Sequence, residues 1–147
     1  MSKSIIPDDI ISKVKYLQEE IDQLQNNIGA IEQQINIIYR VNSSLHDAIN
    51  TQDELKMKKP GDEILVPIGG SNHILCAIKD PQKTFISLGS GVNLLTQLKD
   101  SEERNKSQIE NLENGIKQLQ EQYSQLSQKM NSRRQELLEI AQKYQIL

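Results

Sequence analysis

The chain has 147 residues, of which 36% are hydrophobic, 25% charged and only 3% aromatic, with no Trp and a single Phe. That is a poor stock of bulky groups for the core of a compact enzyme. A formal charge of -3 gives no basic footprint for nucleic acid or anionic lipid.

No window approaches the roughly 18 consecutive apolar residues of a membrane span. The opening residues carry Asp8 and Asp9 where a signal peptide would run apolar. The lone Cys76 leaves no internal disulfide and fits a reducing compartment. The expectation is a cytoplasmic protein without a cofactor.

Proline and glycine divide the chain. No proline falls between Pro7 and Pro60 or after Pro81, and five of the seven glycines lie between Gly61 and Gly91. Three segments follow: residues 1–60 and 96–147 as helices, and 61–95 as something else, all in one structural domain.

In the first segment apolar residues step by four and three through Ile10, Val14, Leu17, Ile21, Leu24, Ile28, Ile31, Ile35 and Ile38, then Asn42, Leu45, Ile49 and Gln52. Eleven of these thirteen positions are apolar, against about five expected from a 36% composition, which is a heptad seam. Pro7, Asp8 and Asp9 suit a helix start, and Lys56, Lys58 and Lys59 before Pro60-Gly61 suit its end. The predicted helix covers 7–57.

The last segment repeats the seam from Ile109 through Leu112, Ile116, Leu119, Tyr123, Leu126, Met130, Arg133, Leu137, Ile140, Tyr144 and Leu147. Carried backward, the frame reaches Leu98 and Leu95 but crosses Glu102 and Asn105, so a loose seam is expected there. Thr96 is the predicted N-cap. Polar layers at Asn42 and Arg133 would help set a register. Gly29 and Gly115 lie off the seam, where they could permit bending.

Two helices of nearly equal length joined by one short insert imply an antiparallel intrachain coiled coil, left-handed because the repeat averages 3.5. A parallel rod between two chains is the alternative.

The middle reads as two β-hairpins. Ile64, Val66 and Ile68 alternate, Gly69-Gly70-Ser71-Asn72 turns, and Ile74, Cys76 and Ile78 return with Leu75 and Ala77 on the other face. Asp80-Pro81-Gln82-Lys83 turns the chain into Thr84, Ile86 and Leu88, and Gly89-Ser90-Gly91 turns it into Val92 and Leu94. Pro67 marks an edge or bulge. Four short strands cannot enclose a core and leave open edges, so a multi-chain β hub is expected. Its subunit-contact residues would be Ile64, Val66, Ile68, Ile74, Cys76, Ile78, Ile86, Leu88, Val92 and Leu94. The fold class is α+β, a long antiparallel coiled coil with two hairpins forming an oligomeric β-barrel hub.

Apolar residues off the seam crowd both chain ends. Leu138, Ala141 and Ile146 join Leu137, Ile140, Tyr144 and Leu147, while Ile5, Ile6 and Ile11 join Ile10 and Val14. Such an excess marks a contact surface for an irregular apolar partner; the plainer alternative is that it staples frayed ends. Off-seam Ile37, Val41 and Ala48 suggest packing against the hub or a neighbouring arm.

Catalytic readings have little support. His46 and His73 lack ligand-spaced partners, Cys76 shares a face with Ile74 and Ile78, and neither Gly-Ser turn carries the Lys-Ser/Thr of a phosphate loop.

Two heptad helices around GDEILVPIGGSNHILCAIKDPQKTFISLGSGVNLL resemble the prefoldin family, α type, with EILVPIGG and ISLGSGV the most specific stretches. Val92-Asn93-Leu94 stands where the family usually has aromatic residues. The resemblance implies a heterohexamer of two α and four β subunits, built on a double β-barrel. It implies an ATP-independent chaperone that captures unfolded polypeptide at its coiled-coil tips and passes it to a group II chaperonin. A structural scaffold without client binding is the alternative.

Overall fold

The structure is a computed structural model, and it describes residues 5–145. Elements follow in the order α1 (Asp8–Leu55), β1 (Glu63–Gly69), β2 (Asn72–Ala77), β3 (Lys83–Ser87), β4 (Asn93–Gln97) and α2 (Leu98–Tyr144). They group into two compact units, one formed by residues up to Tyr39 together with those from Asn114 onward, the other by Arg40–Glu113.

The first unit is a pair of antiparallel helix segments. Pro7 stands just before α1 rather than within it, and its carbonyl accepts from Ile10 and Ile11 N–H at 3.0 and 3.1 Å. Asp8 and Asp9 occupy the first turn, where the helix dipole favours negative charge. The core here is the predicted seam: Leu17, Ile21, Leu24, Ile28 and Ile31 on α1 and Ile116 on α2 are all 8% exposed or less. Polar flanks fix the direction. Lys13 reaches Glu136 at 2.7 Å, and Glu20 meets Lys129 at 3.0 Å and Arg133 at 2.8 Å, so numbers rise on one helix as they fall on the other. Arg133, the expected polar layer, pairs across to Glu20 and along its own helix to Glu136 at 3.2 Å.

In the second unit the adjoining ends of α1 and α2 carry the two hairpins. Leu98 is the most buried core residue here at 2%, with Ile109 at 8%. Asn42, the other expected layer, buries its Oδ1 without a hydrogen-bond partner among the described residues, which costs stability.

Lys59 to Asp62 forms the turn out of α1: Lys59 N–H donates to Asp62 Oδ2 at 2.8 Å, and Gly61, at φ 90°, supplies the left-handed step. Each hairpin is a separate antiparallel two-stranded sheet. Gly70 (φ 55°) and Ser71 (φ 60°) turn the first; Ser90 (φ 51°) and Gly91 (φ 75°) turn the second, with Val92 N–H bonded to Gly89 C=O at 2.9 Å. Positive φ at both central residues is the type I′ turn whose twist suits a hairpin. A register shift between Pro67 and Gly69 leaves Ile68 without a cross-strand partner, the bulge that a proline without a donor favours.

Besides Pro7, two further helix boundaries differ from expectation. α2 begins at Leu98, not Thr96, because Thr96 and Gln97 are still paired with Thr84 and Lys83 in the second hairpin. Strand passes into helix without a loop, and Leu98 N–H donates to Gln82 C=O at 2.7 Å. α1 ends at Leu55, and residues 56 and 57 form a turn.

Candidate functional site

Two surfaces carry apolar side chains that the chain itself does not cover. The first is the end of the coiled pair in the first unit. Of the residues expected there, the seam members Ile10, Val14, Leu137, Ile140 and Tyr144 are half-buried, as are Ile6 and Ala141. Ile5, Ile11 and Leu138 are 92%, 53% and 43% exposed. Ile146 and Leu147 lie outside the described residues. The predicted set therefore divides: seven members staple the helices, and three present apolar surface to solvent. The Lys13–Glu136 pair brings the start of α1 alongside the last turns of α2 and holds the Glu136 carboxyl below its ordinary pKa, chiefly through the hydrogen bond from Lys13.

The second surface is the pair of hairpins in the second unit. Ile64 lies opposite Cys76 and Val66 opposite Ile74 on one face of the first hairpin; Ile86 lies opposite Leu94 in the second. Ile64, Val66, Cys76, Ile78 and Ile86 are half-buried, whereas Ile68, Ile74, Leu88, Val92 and Leu94 are exposed. Ile78 and Leu88 fall just past their strands, held by Ile78 N–H to Asp62 C=O and Leu88 N–H to Val92 C=O, each at 2.8 Å.

By sequence alone Leu75 and Ala77 fall on a second face, but Leu65, Leu75, Phe85 and Leu95 stay out of the expected contact set. Leu65 pairs with Leu75 and Phe85 with Leu95, and these two are the apolar cross-strand pairs most open to solvent on the hairpins. A signal for them existed. The run Ile64-Leu65-Val66 is apolar at every position rather than every second one, the mark of a strand covered on both faces. Leu95 also fits a backward extension of the helical seam, but its backbone is paired with Phe85 in the second hairpin.

The profile of the prefoldin family, described as prefoldin subunit, matches residues 10–143. The chain belongs to the prefoldin family. It is similar to prefoldin subunit alpha of Methanosarcina mazei, 25% identical over 142 residues, covering 95% of this chain and 90% of that one. It is likewise similar to prefoldin subunit alpha of Methanobrevibacter smithii, 24% identical over 135 residues, covering 85% and 92%. Among solved structures, a cryo-EM structure of filamentous PFD from Methanocaldococcus jannaschii shares the fold at a TM-score of 0.56 and 19% identity, covering 82% of this chain and 94% of that one.

Membership of the prefoldin family makes the chain a chaperone-type subunit, of a family that forms complexes of prefoldin subunits. No described helix is long and apolar enough to cross a membrane. Among the described residues the chain closes no barrel, since each hairpin ends at two strands. Every strand has one neighbour and one open edge, the condition under which strands add to one another between chains.

Proposed function

We propose that this prefoldin subunit holds unfolded polypeptides, without ATP, on the apolar ends of its helix pair, in the cytoplasm. The observation that carries the reading is the exposure of Ile5, Ile11 and Leu138 beside a seam that is already filled. A non-native client offers scattered apolar side chains. Contacts with several arms, each weak, sum through multivalency, so that capture needs no deep pocket. Release then needs no chemical step: a competing chaperone surface suffices, and a group II chaperonin fills that role. The hairpins join those of β-type subunits in an α2β4 hexamer, their open edges and apolar faces being covered there.

The test mixes the chain with its β-type partner and dilutes a denatured protein into the complex with no nucleotide present. Aggregation followed by light scattering is expected to be suppressed. Trimming residues 1–11 and 137–147 is expected to abolish suppression while the complex keeps its subunit count. Suppression that survives the trimming contradicts the tip mechanism, and a full complex without suppression in the untrimmed form marks a scaffold.

A further inference from the structure

Where α1 and α2 adjoin the hairpins, the seam is polar and fully engaged. Gln52 and Ser101 are each 7% exposed and Glu102 is 5%. Gln52 Nε2 donates to Ser101 Oγ at 2.9 Å, and Asn105 Nδ2 donates to Gln52 Oε1 at 3.3 Å, so both ends of the Gln52 amide are used across the helix pair. Glu102 Oε1 takes Lys106 of its own helix at 2.8 Å, and Oε2 takes Lys56, in the turn just past α1, at 2.5 Å. Those bonds, Lys106 foremost, hold the Glu102 carboxyl below its ordinary pKa. The seam expected to be loose at Glu102 and Asn105 is instead directional.

Apolar heptads do not by themselves choose an alignment. Their contacts are non-directional, and a slip of seven residues again sets apolar against apolar. The polar layer changes that. Moving α2 by one heptad replaces Ser101, Glu102 and Asn105 opposite Gln52 with Gln108, Ile109 and Leu112; moving α1 likewise sets Leu45 and Ile49 where Gln52 and Lys56 stood. Moving α2 sets Ile109 and Leu112 in place of Glu102 and Asn105 and takes away the bond to Gln52 Oε1; moving α1 sets the Glu102 carboxylate against Leu45 and Ile49. A buried amide left unpaired loses the hydrogen bonds that water gave it in the unfolded chain, and a buried charge loses more.

We propose that Gln52, Ser101, Glu102 and Asn105 form a register lock, which selects one alignment of α1 against α2 at a cost in stability relative to an apolar seam. It does for this end of the pair what a single buried asparagine does for a coiled coil.

The test uses the full-length chain with Cys76→Ser and nitroxide labels at S44C and E110C, both exposed positions of the same unit. A one-heptad slip moves one helix by about 10 Å along the other, well within what pulsed dipolar spectroscopy reads. The unaltered seam is expected to give a single narrow distance. Q52L/S101A/N105L is expected to raise the melting temperature yet broaden or split that distance. A distance that stays single and narrow, also when E102L is added to remove the Lys56 pair, overturns the proposal, because the hairpins alone would then set the register. Should the triple variant lose its helical circular dichroism, N105L, which removes one of the two cross-helix amide bonds, is read by the same criterion.

Discussion

Replacing Leu65 and Leu75 together by glutamate is expected to exclude this chain from its complex while its helices remain folded. The two leucines face each other across the first hairpin and are 67% and 64% exposed, so the single chain draws little stability from them. In an assembly that covers this face, each loses the roughly 2 kcal/mol of a buried leucine, and a carboxylate enters an apolar contact at several kcal/mol more. A loss of at least about 5 kcal/mol is more than a thousandfold in affinity. Native mass spectrometry checks the assembly and circular dichroism the helices. An unchanged complex mass would show that this face stays open to solvent. Phe85 and Leu95, 70% and 50% exposed on the second hairpin, should behave alike.

The second large effect concerns the arm ends. I5S/I11S/L138S is expected to assemble normally and to fail in suppressing aggregation. None of the three side chains is buried in the unit's core, so melting of the helix pair should shift little. Each substitution removes about 1 kcal/mol or more of apolar contact with a client, so one arm loses about 3 kcal/mol, on the order of a hundredfold in its share of the binding. Light scattering during dilution of a denatured client reads the loss. Changing the half-buried Ile10, Val14 and Leu137 to serine instead should unfold the end of the pair, which separates the two groups by melting temperature.

Much of this was legible in the residues because the heptad is a long-range regularity that noise does not hide. All thirteen seam positions predicted on α1 are buried or half-buried, and on α2 from Ile109 only Tyr123, at 37%, stands marginally exposed among the described ones. Four strands were readable from Gly-Ser turns flanked by apolar runs, and Pro67 announced the bulge. The start of α2 was not readable. Thr96 is a good cap by residue type, but its backbone was already committed to Thr84 across the hairpin, and local capping preference yields to a ladder bond made over twelve residues of separation.

The polar layer escaped for a related reason. Gln52, Glu102 and Asn105 each look like a defect in an apolar frame when read singly. Only the antiparallel pairing, which sets residue 52 against 101 and 105, turns the defects into a satisfied network. The division of the chain ends was equally hidden. Period places Ile10 and Val14 on the seam, but which off-seam residues stay dry depends on the neighbour helix: Ile6 and Ala141 are half-buried, Ile11 and Leu138 open.

The most direct measurement places a photo-crosslinking amino acid at Leu138, and separately at exposed Glu110, in the chain assembled with its partner subunits. The complex is then irradiated while it holds an unfolded client. Covalent client adducts are expected from position 138 and not from position 110. Adducts at 110 equal to or exceeding those at 138 would contradict capture by the arm ends.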